Sequence, residues 1–201
     1  MNAETVMERI RSERVIGICR ADSADAVRNQ VRAMRAAGVA VAEVSLTTPG
    51  ALDVVSEQAA ELDEGEVIGA GTVLDAASAR MAVAAGARLL VSPILSFDVI
   101  RVALDHGVVA IPGCYSPTEM LSALQYGAQA VKLFPANGWT PVALHTMLRA
   151  LPQLPVVPTG GVSIRDAATW LEAGAVAVGL GATLTSSDPE KARRSVGSLR
   201  L

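Results

Sequence analysis

The sequence predicts an α/β fold in which eight parallel strands alternate with helices and close into a (β/α)8 TIM barrel. Two observations predict it. Short apolar segments alternate with helix-like segments along all 201 residues, which is typical of a parallel sheet with right-handed crossovers. Glycine recurs where the helices should end, at intervals of roughly 20 to 27 residues, as in a repeated supersecondary unit. We therefore expect residues 1–201 to form a single barrel domain, with residues 2–12 as a short additional N-terminal helix.

The predicted strands are short and apolar, and no long linker separates them. They cover residues 15–19, 40–44, 67–70, 88–91, 108–111, 130–133, 156–157 and 175–178. An open doubly wound sheet is the main alternative. However, no Gly-x-Gly-x-x-Gly motif follows the first strand, as a dinucleotide-binding sheet would require. The closed barrel is therefore the preferred prediction.

The helix ends carry capping signals. Glycines such as Gly107 and Gly174 stand where a left-handed residue closes a helix. A capping side chain followed by proline predicts a helix start. This pair occurs at Thr48-Pro49, Ser116-Pro117, Thr140-Pro141 and Asp188-Pro189, and Ser163 to Asp166 is close to a capping box.

The composition restricts the classes of function. Hydrophobic residues make up 51% of the chain and aromatic residues 3%, so the core consists of small aliphatic side chains that suit parallel α/β layers. A net charge of -3 argues against nucleic-acid and anionic-membrane partners, since both need a basic face. No segment reads as a signal peptide or a membrane span, so we expect a cytoplasmic protein. Cys19 and Cys114 are expected to be free, buried thiols.

Lys132 lies within an apolar segment, between Val131 and Leu133. Lysine is rare here, because the other basic residues are arginines except for Lys191. If the segment is a buried strand, burial disfavours the ammonium ion and makes the free amine available. A free amine can form a Schiff base with a carbonyl substrate, which an arginine cannot do. The structural alternative is a strand-end lysine whose amine extends to solvent.

Polar residues and glycines follow most of the predicted strands. In barrels of this kind the functional groups gather at the C-terminal ends of the strands. For Glu43 the alternative is a purely structural role, in which it neutralises Arg20 or Lys132. For the glycines the alternatives are tight turns alone or phosphate binding through backbone N–H groups. No His, Cys or carboxylate cluster has metal-ligand spacing, so we expect neither a metal nor a cofactor. The candidate residues are Arg20, Glu43, Ser45, Thr47, Thr72, Pro93, Lys132, Thr159, Gly160, Gly161 and Gly181.

These segments together resemble the 2-keto-3-deoxy-6-phosphogluconate aldolase family, which includes phosphogalactonate and 4-hydroxy-2-oxoglutarate aldolases. The resemblance runs in register from about Val15 to Leu184. Val131-Lys-Leu-Phe-Pro and Pro158-Thr-Gly-Gly-Val are its most specific motifs. The other motifs are Glu43-Val-Ser-Leu-Thr, Gly69-Ala-Gly-Thr-Val, Ser92-Pro, Ile111-Pro-Gly and Val178-Gly-Leu-Gly.

The resemblance implies a metal-independent class I aldolase that cleaves a 2-keto-4-hydroxy acid to pyruvate and an aldehyde, usually as a homotrimer. By position, Lys132 would form the Schiff base and Glu43 would transfer protons. Arg20, Thr72 and Pro93 would line the keto-acid end of the substrate site. Thr159, Gly160 and Gly161 would lie toward the distal end, and Gly181 is among the later glycines that can hold phosphate.

The sequence departs from the family pattern at two positions. Thr47 stands where some members have arginine, and Ala182 stands where many have serine. The second change removes a hydrogen-bond donor from the phosphate side, so a phosphorylated substrate is less firmly implied than the aldol chemistry. Two other classes stay open: a non-covalent phosphate-binding transferase or isomerase, and a catalytically silent keto-acid binding protein.

Overall fold

Helices and parallel strands alternate along most of the chain in the computed structural model, which describes residues 1–181, 184 and 188–200. The strands are β1 Val15–Cys19, β2 Val41–Ser45, β3 Val67–Gly71, β4 Leu89–Val91, β5 Val109–Ile111, β6 Gly113–Cys114, β7 Val131–Leu133, β8 Val156–Pro158 and β9 Val178–Leu180. The α-helices are α1 Ala3–Glu13, α2 Ala24–Ala36, α3 Ala51–Ala60, α4 Ala76–Ala84, α5 Phe97–His106, α6 Pro117–Gln125, α7 Pro141–Ala150, α8 Ala167–Glu172 and α9 Pro189–Gly197. The predicted α/β class and the N-terminal helix are confirmed.

The strands form two parallel sheets rather than the single closed ring of eight that the sequence predicted. One sheet has six strands in the order β5-β4-β3-β2-β1-β9, and the other has the order β6-β7-β8. The sheets part at Pro112, between β5 and β6, because proline has no N–H to donate to a ladder. The chain thus passes from the six-stranded sheet into the three-stranded one, where Gly113 pairs with Lys132.

Two other boundaries differ from the prediction for local reasons. Strand β9 begins at Val178 instead of residue 175, because the N–H of Ala175 still donates to Trp170 O at the end of α8. Helix α3 begins at Ala51, after Gly50 in the left-handed conformation, and Thr48 does not cap it. The Thr48 hydroxyl instead accepts a hydrogen bond from the N–H of Ala21 at 3.2 Å. This contact joins the loop after β2 to the end of β1.

Three predicted helix starts are confirmed. Ser116 and Glu119 form a reciprocal capping box at α6, Thr140 caps α7, and Asp188 caps α9. At the remaining capping motif, the Asp166 carboxylate accepts hydrogen bonds from the N–H and hydroxyl of Ser163, but α8 begins only at Ala167. The capping side chains of α6, α7 and α9 thus fix the residue at which each preceding loop ends and the helix begins.

The strands bury a different cluster of apolar residues on each face. One face packs against helices α2 to α9. The other face forms a smaller cluster with Val6, Met7 and Ile10 of α1. Because alternate strand residues share a face, Glu43 follows Val41 and Lys132 follows Ala130 on the side of this smaller cluster. The fold therefore places the carboxylate of Glu43 and the amine of Lys132 next to this smaller apolar cluster.

Two expectations drawn from composition also bear on the structure. Cys19 and Cys114 are free and buried, as predicted. Within the described ranges, no helix combines the length and the apolar character needed to cross a membrane.

We predict that Thr140→Ala lowers the free energy of unfolding by about 1 kcal/mol, because it removes the cap of α7. Urea-induced unfolding measures the change. Thr146→Ala is the matched control in the same helix, since the Thr146 hydroxyl donates only to the Val142 carbonyl one turn earlier. Equal losses in the two variants would contradict the capping assignment.

Candidate active site

Lys132 is held inside the protein by strand β7. Its neighbours Val131 and Leu133 belong to the cluster that packs against the helices, so its own side chain points to the opposite face. That side chain is only 8% exposed, which rules out the alternative of an amine extending to solvent. The amine Nζ lies 4.9 Å from the centroid of the Phe134 ring. The predicted burial of Lys132 is confirmed.

Glu43 lies opposite this amine, in the middle of β2, and its side chain is 3% exposed. Its Oε1 is 3.9 Å from Lys132 Nζ, too far for a strong hydrogen bond. Its Oε2 is buried and has no hydrogen-bond partner among the described residues. A glycine provides the room, because a Cβ at Gly71 would lie 2.8 Å from Glu43 Cδ. The carboxylate is thus close to the amine yet keeps one oxygen available.

Burial raises the pKa of Glu43, and the nearby charges of Lys132 and Arg20 offset this only in part. A carboxyl group with a raised pKa holds a proton closer to neutral pH than an exposed glutamate does. Such a group can both accept and return a proton during a reaction. Burial, reinforced by the Glu43 charge, also raises the pKa of the Cys19 thiol to about 12, so that this neighbouring cysteine is a poor nucleophile.

Arg20 is joined to strands β2 and β3 by a network of hydroxyl groups. Its Nε donates to Ser45 Oγ at 3.3 Å and its Nη2 donates to Thr72 Oγ1 at 3.2 Å. The Ser45 hydroxyl is also 2.8 Å from that of Thr72 and 2.9 Å from that of Thr47. Thr72 has φ 58, a strained conformation for a β-branched residue. The network orients the guanidinium at the rim of β1 to β3.

A cavity of about 450 Å³ opens beside Lys132. It brings together most of the predicted residues of the keto-acid and distal ends. A smaller apolar hollow below it contains Glu43 and is also lined by Lys132. The cavity walls are Ile18, Arg20, Gln30, Lys132, Phe134, Thr159, Gly160, Gly161, Val162, Ser163, Gly179 and Gly181.

Five of the candidate residues do not line this cavity. Glu43 lines the smaller hollow, and Ser45 and Thr47 belong to the hydroxyl network around Arg20. The other two are Thr72 and Pro93. Thr72 contacts it only through Arg20. Pro93 packs its backbone on Gly113, where a Cβ would lie 2.3 Å from the Pro93 carbonyl carbon, and Gly113 is the ladder partner of Lys132. Both residues therefore support the site from its edge.

The glycines after β8 expose backbone donors. Gly160 and Gly161 have φ values of 82 and 90, a conformation that suits residues without a side chain. The N–H groups of Gly161 and Val162 donate to no acceptor in the described part of the chain. These groups can bind an anion in the cavity. Ala182, the departure noted at the phosphate side, lies outside the described residues.

Sequence reasoning missed three polar or aromatic residues of the cavity wall. Phe134 directly follows β7, and Ser163 lies in the loop between β8 and α8, so their positions after strands could have identified them. Gln30 had no such signal, because it lies inside helix α2 and reaches the cavity only through the packing of that helix.

The raised pKa of Glu43 predicts how stability depends on pH. A carboxyl group with a raised pKa favours folding while it is protonated, and this contribution is lost as the pH rises through its value in the folded protein. Glu43→Gln cannot ionise. We therefore predict that the variant gains stability relative to the wild type as the pH rises above about 4.5, the ordinary value. Urea-induced unfolding of both proteins over these pH values measures the difference in stability. A variant that instead loses stability relative to the wild type would show that the attraction to Lys132 dominates.

The chain matches known proteins over nearly its whole length. A family model described as KDPG and KHG aldolase matches residues 6–195. The 2-dehydro-3-deoxy-6-phosphogalactonate aldolase of Escherichia coli (strain K12) is 33% identical over 171 residues, which cover 85% of this chain and 83% of that protein. The range matched by the family model includes every residue of the site described above.

Solved structures share the fold as well. The KDPG aldolase of Legionella pneumophila, with pyruvate captured as a covalent carbinolamine intermediate, has a TM-score of 0.80, 26% identity and 98% coverage of both chains. A cube-shaped protein cage designed by fusing symmetric oligomeric domains has a TM-score of 0.82 and 30% identity, covering 92% of this chain and 70% of that one. With these matches, the chain belongs to the KDPG and KHG aldolase family.

Proposed function

We propose that the protein cleaves a 2-keto-4-hydroxy acid to pyruvate and an aldehyde through a Schiff base on Lys132. The observation that carries the proposal is a buried amine 3.9 Å from a buried carboxylate. The amine lines a cavity of about 450 Å³, and both groups line the smaller hollow next to it. The family membership supports the same reaction, and the Legionella relative holds pyruvate covalently.

The reaction follows from the positions of the two groups. The free amine of Lys132 attacks the C2 ketone, and loss of water from the carbinolamine leaves an iminium ion that withdraws electrons from C3. Glu43 removes the proton of the C4 hydroxyl, directly or through water. The C3–C4 bond then breaks, its electron pair forms the enamine, and the aldehyde leaves. A proton returned to C3 and hydrolysis of the iminium release pyruvate and the amine.

Glu43 is suited to this proton transfer by its surroundings. Burial raises its pKa, which brings the group closer to the pH at which both its acid and base forms are present. Its Oε2 has no hydrogen-bond partner among the described residues. That oxygen is therefore available to a substrate hydroxyl or to a water molecule.

The two ends of the cavity suggest how the substrate lies. Arg20, whose guanidinium is held in position by Thr72, binds the C1 carboxylate by charge-assisted hydrogen bonds. Pro93 supports this keto-acid end from the edge of the site, through its backbone contact with Gly113. Thr159, Gly160, Gly161 and Gly181 surround the part beyond C4. The backbone donors of Gly161 and Val162 suit an anionic distal group, either a phosphate or a carboxylate. The Escherichia coli relative is named for a phosphorylated acid, which favours phosphate.

We also infer that the two sheets act as one closed eight-unit barrel in a single domain. Pro112 connects them on one side, and a parallel bridge between Thr159 and Gly179 connects β8 to β9 on the other. The related symmetric oligomeric domain supports a homo-oligomer, and we propose a homotrimer. The exposed Phe97 and Tyr126 rings, 4.6 Å apart, offer an apolar surface for such an interface.

We predict that borohydride with pyruvate adds a reduced adduct to Lys132, because borohydride converts the iminium ion at this amine into a stable secondary amine. Lys132→Met abolishes the adduct. Lys191→Met, in helix α9, is the matched control and leaves it intact. Mass spectrometry of proteolytic peptides locates the modification. An adduct at Lys191, or none, would contradict the assignment and favour the non-covalent isomerase or binding-protein alternatives.

We predict that Gly71→Ala lowers turnover at least about tenfold, because the new Cβ would lie 2.8 Å from Glu43 Cδ and displace the carboxylate. Gly197→Ala is the control, since a Cβ there meets nothing within 4 Å. A coupled assay of pyruvate release measures turnover, and circular dichroism confirms that both variants fold. Wild-type turnover in Gly71→Ala would show that the position of Glu43 is not critical.

A further inference from the structure

Gln30 forms part of the cavity wall although it comes from the interior of helix α2. Its Oε1 accepts a hydrogen bond of 2.7 Å from the backbone N–H of Arg20. A backbone N–H can only donate, so this contact fixes the orientation of the side-chain amide. The Nε2 group, with two N–H donors, must therefore face away from Arg20.

The Nε2 group is not used elsewhere in the described structure. No hydrogen bond runs from Nε2 to any described residue, and Gln30 is half-buried beside the cavity. A half-buried amide that uses only its oxygen within the described residues keeps its two N–H donors for another acceptor. The cavity provides the space for that acceptor.

The surroundings of Gln30 indicate which part of a substrate it meets. The Arg20 guanidinium extends toward Ser45 and Thr72, where we place the C1 carboxylate. Gln30 shares one cavity wall with Arg20 and with Gly161, Ser163 and Gly181, whereas Ser45 and Thr72 are not part of that wall. We therefore place Gln30 on the side of the distal half of the substrate, away from the hydroxyl groups that the Arg20 guanidinium contacts.

We propose that Gln30 is a specificity-determining residue that donates a hydrogen bond from Nε2 to an oxygen of the distal half, the part released as the aldehyde. The inference rests on the proposed aldol cleavage. It makes Gln30 a donor that selects aldehydes long enough to reach it. Arg20 connects this donor to the keto-acid end, because the backbone of Arg20 holds Gln30 and its side chain faces the carboxylate.

The substitution Gln30→Glu tests the proposal with little change in shape. A glutamate still accepts the Arg20 N–H, but it lacks the donor and adds a negative charge. We expect kcat/KM for condensation of pyruvate with glyceraldehyde 3-phosphate to fall at least about tenfold. With the two-carbon glycolaldehyde, we expect kcat/KM to change less than about twofold. The pyruvate concentration that half-saturates borohydride trapping should also change less than about twofold, since neither measurement involves the distal contact.

Asn29→Asp is the matched control, because Asn29 is exposed on the same helix and the substitution adds the same charge. We expect Asn29→Asp to leave kcat/KM unchanged with both aldehydes. Equal effects of Gln30→Glu on the long and short aldehydes, no effect on either, or a wild type that uses only two-carbon aldehydes would each overturn the proposal. Failure of the aldolase assignment itself looks different, because the wild type would then form no pyruvate adduct.

Discussion

The structure depends on placing an amine and a carboxylate together in an apolar interior. Burying each charge costs on the order of several kcal/mol, and the attraction between the two repays this only when they are well paired. Lys132 and Glu43 are 3.9 Å apart, close enough to interact but not fully paired. Because the pairing is incomplete, burial has the larger influence on the pKa of Glu43 and raises it. The same arrangement keeps both groups available to a substrate.

Backbone geometry maintains this arrangement. Strand alternation directs both side chains to the face that α1 closes from below with apolar residues. Glycines at positions 71 and 113 admit the Glu43 carboxylate and the backbone of Pro93, where any side chain would collide. The hydroxyl network around Ser45 then orients Arg20 above them. The site is thus assembled from separate strands whose relative positions the fold fixes, so no single loop has to order itself around the substrate.

The sequence was most informative where a single strong physical requirement acts. The apolar neighbours of Lys132 made this lysine a candidate for burial, and strand alternation gave Glu43, Ser45 and Thr47 a common face. The alternative of an amine that extends to solvent stayed open until the structure was known. The division of the sheets at Pro112 was also visible as a proline, but its effect depends on which neighbouring strand each side meets. Thr48 was wrongly predicted to cap a helix and Gln30 was not predicted at all, because each acts through a long-range hydrogen bond to the chain after β1. Such contacts appear only when the helices are packed.

The most direct test of the central claim is a crystal structure of the protein soaked with pyruvate. The account predicts continuous electron density between Lys132 Nζ and C2 of the ligand, with Glu43 beside the bond and the ligand carboxylate facing Arg20. Pyruvate bound without a covalent bond to Lys132, or attached to another amine, would contradict it.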